Sequence, residues 1–404
     1  MDEQQARETI VKAGLELLES GLLVRSWGNI SCRLDGARFA ITPSGRAYET
    51  LRTGDIVICN TADASWSGAI KPSSEKGAHA LIYRLRADAG FVIHTHQRFA
   101  SAVASLGITA IHDEKMGEIP VAEYSLPGTK KLVRKVKAVL PQANGAVLMS
   151  HHGALCYGDD YYETFNTAKL LEEACERFMH NSYMKAAGVK EFDKTVMLDY
   201  YVRKAAKSLR FNNQMINEQN SLAASPVQNT VLGIKKSIRD GEGIIAYTAN
   251  GETSYPSGVS SVSSEVGMHF AIYAARAEIN CIELADDEYV AAVSLSNKPL
   301  PRYLDDFAQM MGSPMRAAPS MAAHLVLKAL GKSGAVLIPG AGALCCAATE
   351  TDAHALCLVT EKNALAEICA AMFGKAKPLS PFDCFLMHLV YTRKYSKQYL
   401  SKGV

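Results

Sequence analysis

Ser73-Ser74-Glu75-Lys76-Gly77-Ala78-His79 returns later in the same chain as Ser263-Ser264-Glu265-Val266-Gly267-Met268-His269, an offset of 190 residues. At that offset Tyr83 meets Tyr273 and Arg86 meets Arg276. Two further blocks repeat in the same order at an offset of 189: Gly145-Ala146-Val147-Leu148 as Gly334-Ala335-Val336-Leu337, and Gly153-Ala154-Leu155-Cys156 as Gly342-Ala343-Leu344-Cys345. Three ordered matches at nearly one offset mark a duplicated unit. The copies meet in a polar, structure-poor stretch near residues 212–226. The expected domains are therefore 1–212 and 226–404, which suits a 404-residue chain better than a single core.

Inside the first copy the apolar pattern alternates between helical and strand periods. An apolar stripe at Ile10, Val11, Gly14, Leu17 and Leu18 predicts a helix over 5–20, stopped at Gly21. Short apolar runs predict strands at 39–42 and 55–59. A helix is expected over 76–89, a strand over 91–96, a helix from 99, a strand over 146–150 and a long helix over 161–185. Helices interleaved with strands imply an α/β fold, with helices packed on a sheet.

Composition narrows the class of function. The formal net charge is only +2, from 43 basic and 41 acidic residues. That provides no electrostatic reason to expect nucleic acid or an anionic membrane as partner. The first residues lack the order of a signal peptide, and the most apolar stretch, 335–348, is interrupted by Pro339, Gly340 and Gly342. None of the ten cysteines forms a C-x-x-C pair. They read as reduced, buried small hydrophobes, and the expected location is cytoplasmic.

The chemistry concentrates in three histidines. Alternate residues of a strand share a face, so His94 and His96 project together with Thr95 behind them. His152, closing the run 146–150, adds a third imidazole from a neighbouring strand end. Three ligands with an open position describe a catalytic zinc site. Taken alone, H-x-H also fits polar histidines at a strand end. The second copy supplies a control: Leu284 and Asp286 face His94 and His96, and Pro339-Gly340-Ala341-Gly342 faces Ser150-His151-His152-Gly153. Residues needed only for folding should persist in both copies, and these three do not. The second copy is accordingly expected to bind no catalytic metal. Glu75 is a candidate acid/base, but Glu265 persists in the second copy, as a helix-start or capping-box charge would. His79 persists as His269, which favours packing or support of other residues. The Ser/Gly segments 26–31, 42–45 and 73–74 suit a phosphate dianion, although each alone is a common turn sequence.

Taken together, Gly28-Asn29-Ile30-Ser31, Ile41-Thr42-Pro43-Ser44-Gly45, Lys71-Pro72-Ser73-Ser74-Glu75, His94-Thr95-His96, Ile119-Pro120-Val121-Ala122-Glu123-Tyr124 and His152-Gly153 resemble the class II aldolase/adducin family. Its aldolase members include L-fuculose-phosphate aldolase. The likeness runs over about residues 5–185 and, in part, over 226–360. It implies a three-layer α/β/α domain holding zinc, or another divalent ion such as Mn2+ or Co2+, through His94, His96 and His152. His152 is preferred to His151 because the family ligand directly precedes the glycine. It further implies Glu75 as acid/base, Tyr124 as proton donor to the leaving aldehyde across a subunit interface, and Asn29, Ser44, Gly45, Ser73 and Ser74 around a phosphate. The implied activity is a metal-dependent aldolase that cleaves or forms a C–C bond in a ketose phosphate or related sugar phosphate through an enediolate. The implied assembly is a homo-oligomer, dimer or tetramer; the repeat adds the expectation that the inactive copy completes an interface of the active one. Trp27 resembles the pentulose-phosphate 4-epimerases of the family, yet these carry aspartate where this chain has Glu75. Sugar-phosphate epimerase or dehydratase chemistry is thus the alternative, and a non-catalytic, adducin-like interaction role is the natural reading of the second copy. For the family's C-terminal tyrosine, Tyr183, Tyr200 and Tyr201 all stay open.

Overall fold

The computed structural model describes residues 1–23, 27–212, 232–258, 262–373 and 375–395. Apart from Asn212, the expected junction at 212–226 lies outside the described residues, as does Ser26. The first helix, α1 (Glu3–Glu19), opens with a capping box between Asp2 and Gln5 and buries Ala6, Ile10, Ala13, Gly14 and Leu17. The chain continues through β1 (Asn29–Arg33), β2 (Arg38–Ile41), β3 (Val57–Asn60), α2 (Lys76–Leu85), β4 (Phe91–Thr95) and α3 (Arg98–Ala104). Then come β5 (Ala110–Asp113), β6 (Gly117–Ala122), α4 (Lys130–Val139), β7 (Ala146–Met149), β8 (Gly153–Gly158), α5 (Tyr161–Ala187) and α6 (Lys194–Asn212). Helix α2 stops at Leu85, four residues short of the expected end. The segment after it is pulled onto the sheet by Arg33, which donates to the carbonyls of Tyr83, Arg86 and Ala89.

The strands form one sheet in the order β3-β2-β1-β4-β8-β7-β6-β5. Alternation along them sorts side chains into two cores. Val92, Val147, Leu155 and Tyr157 pack on one face with Leu81, Ile82, Leu132 and Val136 of α2 and α4. Phe91, Ile93, Leu148 and Cys156 pack on the other with α1, α3 and α5. The layers are α/β/α. All ten cysteines are free and buried, and no helix among the described residues is long and apolar enough to cross a membrane.

The second copy repeats the scheme with β9 (Ile234–Asp240), β10 (Gly243–Thr248), β11 (Gly251–Tyr255), α7 (Ser264–Ala275), β12 (Cys281–Ala285), α8 (Glu288–Leu295), α9 (Asp305–Met311) and α10 (Ala323–Leu330), followed by β13 (Ala335–Ile338), β14 (Gly342–Ala347), α11 (Glu350–Phe373) and α12 (Pro381–Val390). Its sheet runs β11-β10-β9-β12-β14-β13. The inner faces of both sheets share one hydrophobic core: Leu148 and Cys156 belong to the same cluster as Leu337 and Cys345, with α11 packed on α3 and α5.

The copies differ most at one hairpin. In the first, β5 and β6 pair Ile111 with Ile119, and Val121 pairs with Leu148 of β7. In the second only the bridges Leu300–Met315 and Ala317–Leu337 remain among the described residues. Ile111 and Ile119 stand 8 positions apart and Leu300 and Met315 stand 15 apart, so seven residues have been added. Helix α9, seven residues long, fills that insert.

Glycine is required where β8 meets β4, since a Cβ on Gly153 would stand 2.2 Å from the carbonyl oxygen of Thr95. The second copy keeps the constraint: Gly342, at φ +121°, would place a Cβ 2.1 Å from the carbonyl oxygen of Ala285. Gly342→Ala should therefore lower unfolding stability by on the order of 3 kcal/mol, read as a lowered midpoint in urea. An unchanged midpoint would contradict this strand contact.

Candidate metal centre

The site forms at the carboxyl end of β4. His94 and His96 point to the α2 face of the sheet, while Thr95 turns away and donates to Gln97. His152 comes from the turn between β7 and β8, in which His151 adopts φ 63° and the His152 amide donates to the Met149 carbonyl. His152 directly precedes β8, the strand that pairs with β4, so the third imidazole arrives at the end of a neighbouring strand; the run 146–150, which forms β7, lies one strand further away. All three histidines are buried, and one nitrogen of each lies within 4.8 Å of the others.

Each ring has one nitrogen committed elsewhere or directed away. His94 donates from Nδ1 to the Ala154 carbonyl at 2.8 Å, which leaves Nε2 as a lone pair facing the site. His152 bonds Asp305 through Nδ1, and its Nε2 lies 2.9 Å from Glu75 Oε1. His96 Nε2 stands 3.0 Å from His94 Nε2, and its Nδ1 has Asp306 at 3.4 Å. Two nitrogens sharing one tetrahedral zinc stand about 3.3 Å apart. Burial holds His94 down to about 3 and His96 to about 4, so both rings are neutral, the form that binds a metal. The donor set also fits by charge. Glu75, Asp305 and Asp306 face the ammonium of Lys362 and, while no ion is bound, the imidazolium of His152, so the buried group is short of positive charge and suits a cation in place of the His152 proton.

Glu75 is the N-cap residue of α2 but makes no capping bond. Its Oε2 lies 3.0 Å from His94 Nε2 and accepts from Asn29 Nδ2 at 3.0 Å. Burial would raise its pKa, but His94, His152 and the bonds from His152 and Asn29 hold it well below the usual carboxylate range. Its twin Glu265 does something different, accepting from the Gly233 and Ile234 amides. Persistence of that glutamate thus reflects a backbone contact in the second copy. His79 supports the site at one remove: Nδ1 meets Ser31 Oγ at 2.6 Å and Nε2 meets Asn29 Oδ1 at 2.5 Å. His269 keeps the serine partner, Ser237, but its buried Nε2 has no partner among the described residues. Two residues before Ser237 the chain carries Lys235 in place of an asparagine.

His96 and His152 open into a cavity of about 370 Å³. The 42–45 and 71–74 loops pair through Pro43 and Pro72 and bring Ser44, Gly45, Ser73 and Ser74 to its wall beside Asn29. All five expected phosphate-pocket residues therefore meet at one cavity. Asn29 is partly committed, since its amide already joins Glu75 to His79. Tyr124 does not line the cavity. Its ring packs edge-on against His151 and its buried hydroxyl, without a partner among the described residues, faces the second copy near Asp383, Asp305 and Cys384. Of the three tyrosines left open, Tyr183 packs against Phe192 and Tyr200, and Tyr201 donates to Glu367. The tyrosine at the cavity wall is Tyr391, with Gln309, Leu386, Met387 and Val390 also from the second copy. These residues carry no motif; the one available signal nearby is Lys362, the single lysine in the largely apolar helix α11.

Fold and site together define a duplicated α/β protein with one buried three-histidine centre among the described residues. The sequence profile described as the class II aldolase and adducin N-terminal domain matches residues 8–179 and again 230–368. The chain belongs to the class II aldolase/adducin family and carries its domain twice. Among solved structures it is similar to YgbL from Klebsiella pneumoniae, at 26% identity over 44% of this chain and 89% of that one, with a TM-score of 0.41. An L-fuculose 1-phosphate aldolase matches at 27% identity over 43% and 84%, with a TM-score of 0.40. The L-fuculose-1-phosphate aldolase of Thermus thermophilus matches at 24% over 46% and 98%, with a TM-score of 0.40.

Protein purified and dialysed against a divalent metal should hold one ion per chain, and His94→Ala should hold none, by elemental analysis. Two ions per chain would mean that the second copy also has a site. The metal-free protein should weaken in acid. Below about pH 6.5 the unfolded imidazoles take up protons. In the fold burial keeps His79 and His94 near 3 and His96 and His269 near 4. The unfolded state then binds more protons, so the urea midpoint should fall as pH drops from about 6.5 towards 4. His269→Gln should make that slope shallower. His152 acts in the opposite direction: burial disfavours its charge, but Asp305 and Glu75 hold its imidazolium well above the ordinary range. Its contribution is lost as pH rises.

Proposed function

We propose that residues 1–212 form a metal-dependent aldolase unit acting on a ketose phosphate or related sugar phosphate, and that 226–404 is a non-catalytic copy serving it. The observation that carries this reading is Glu75. One buried carboxylate reaches His94 Nε2 and His152 Nε2 at 3.0 and 2.9 Å, at the edge of a cavity that also presents Ser44, Ser73 and Ser74. A divalent ion held by His94, His96 and His152, zinc in our reading, would act as a Lewis acid on the substrate carbonyl. Zinc suits this because it has no redox chemistry and leaves a position open.

The residues of the chain divide the remaining work. Backbone N–H groups and hydroxyls of the 44–45 and 73–74 loops bind the phosphate and fix the distance from it to Glu75. In bond formation Glu75 takes the proton from the carbon beside the carbonyl, and the electron pair left there forms the new C–C bond. In cleavage the pair returns to that carbon and Glu75 gives the proton back. The aldehyde oxygen needs a proton during bond formation and loses it during cleavage. Tyr391 lines the cavity, so we assign this role to it within one chain. Tyr124, which the family likeness favoured, keeps its hydroxyl buried against the second copy; its role would require an opening there or a neighbouring chain. A homo-oligomer in a cytoplasmic setting completes the proposal.

The test is product analysis with a panel of ketose and deoxyketose phosphates. Dihydroxyacetone phosphate and an aldehyde should appear, and Glu75→Gln should lower kcat by about 10²–10⁴-fold with phosphate affinity retained. An isomer or a dehydrated dicarbonyl as sole product would replace the aldolase with the epimerase or dehydratase alternative. Tyr391→Phe should reduce kcat more than Tyr124→Phe; the reverse order would return the proton to Tyr124.

A further inference from the structure

The insert that distinguishes the second copy ends in the first copy's metal centre. Helix α9 begins with Asp305 and Asp306, both buried and both on histidines of the other copy. Asp305 accepts from His152 Nδ1, and its own amide donates to the His151 carbonyl at 3.0 Å. His151 in turn donates from Nδ1 to the Tyr303 carbonyl at 2.7 Å. The turn that carries His152 is thus clamped from both sides by residues 303–305. Asp306 lies 3.4 Å from His96 Nδ1 and pairs with Lys362, whose ammonium also donates to the His96 carbonyl at 3.1 Å.

The clamp is itself anchored. Asn363 accepts from the Tyr303 and Leu304 amides at 2.8 and 3.1 Å and donates to the Pro301 carbonyl at 2.7 Å. Lys362 and Asn363, adjacent on α11, therefore fix both ends of the segment 301–306. Burying two carboxylates and an ammonium costs several kcal/mol per ion unless each is paired, and Asp305 has His152 as its charged-group partner. The first copy has a β-hairpin where α9 stands, so general scaffold needs do not account for the insert.

We propose that α9 is the ligand-positioning element of the first copy's metal centre, with Asp305 orienting His152 and Asp306, held by Lys362, orienting His96. A carboxylate on the far nitrogen fixes the tautomer and ring angle of a metal-binding imidazole and increases its donor strength. The second copy lacks the three histidines and supplies the carboxylates behind two of its neighbour's. This rests on the three-histidine metal reading and not on the reaction assigned to it.

The experiment measures zinc affinity of the full chain by chelator competition, and the visible absorption of the cobalt-loaded protein. Asp305→Ala should weaken zinc binding by about 10–100-fold. Asp305→Asn, which keeps an acceptor for Nδ1, should lose less, and Asp306→Asn should shift the cobalt bands. Ser313→Ala, exposed just beyond the same helix, should bind zinc as the parent does. Parental zinc affinity in Asp305→Ala and parental cobalt spectra in Asp306→Asn would overturn the inference, even with lower melting temperatures, and would leave the metal reading standing. A parent chain that takes up neither zinc nor cobalt would remove both.

Discussion

A charge placed where water cannot follow must find a partner, and this constraint shapes the molecule around the end of β4. Glu75, Asp305, Asp306 and Lys362 are all buried there beside three imidazoles. No one element could satisfy them. Glu75 arrives at the start of α2, Asn29 on β1, His152 on the β7–β8 turn, and the remaining charges on α9 and α11. Because each charge is answered from an element other than its own, the relative positions of both copies are tied to the site. Loss of one partner would leave a buried charge uncompensated, which is far more costly than loss of a surface pair.

How the chain reaches such proximity is a matter of small residues. A side chain on Gly28 would meet the His94 carbonyl at 2.6 Å, and one on Gly153 the Thr95 carbonyl at 2.2 Å. These glycines let β1 and β8 close on the last residues of β4 from either side, so that ligands separated by 56 positions in sequence share one space. The second copy retains this close approach at Gly342 while its ligand positions hold Leu284, Asp286 and Ala341. Scaffold and chemistry have separated within one molecule.

What could be read from sequence follows the same division. The repeat was legible from identical residues at nearly one offset, the long helix α1 from its apolar stripe, and the strand that carries His94 and leads into His96 from a short apolar run. Strand β1 was not: its five residues alternate polar and apolar, but directly after Gly28 so short a run with Asn29 and Ser31 in it reads as a turn, although both polar residues are buried on the site face. Strand β8 was hidden because both its faces are covered, leaving a run of small and apolar residues with no period. Glu75 could be selected by motif, but its distinction from Glu265 could not, because identical heptapeptide positions serve a ligand cluster in one copy and backbone amides in the other. Tyr391 and the pocket wall on α12 had no local signature at all. Their place at the cavity arises from the docking of one copy on the other.

The duplication also explains why a copy without the three histidines can be retained without decay into a linker. Its inner sheet face shares a core with the first copy, so its removal would expose Leu148, Cys156 and the neighbouring apolar surface of α3 and α5. That alone would preserve any well-packed partner. It would not preserve Asp305, Asp306 and Lys362, since an apolar set of similar volume would fill the same space with less desolvation cost. Their presence in a hydrophobic interface has to be balanced by the imidazoles they contact. The interface is therefore selected on two grounds: apolar area joins the copies, and a small charged cluster at its edge makes the geometry of one copy a condition for the chemistry of the other.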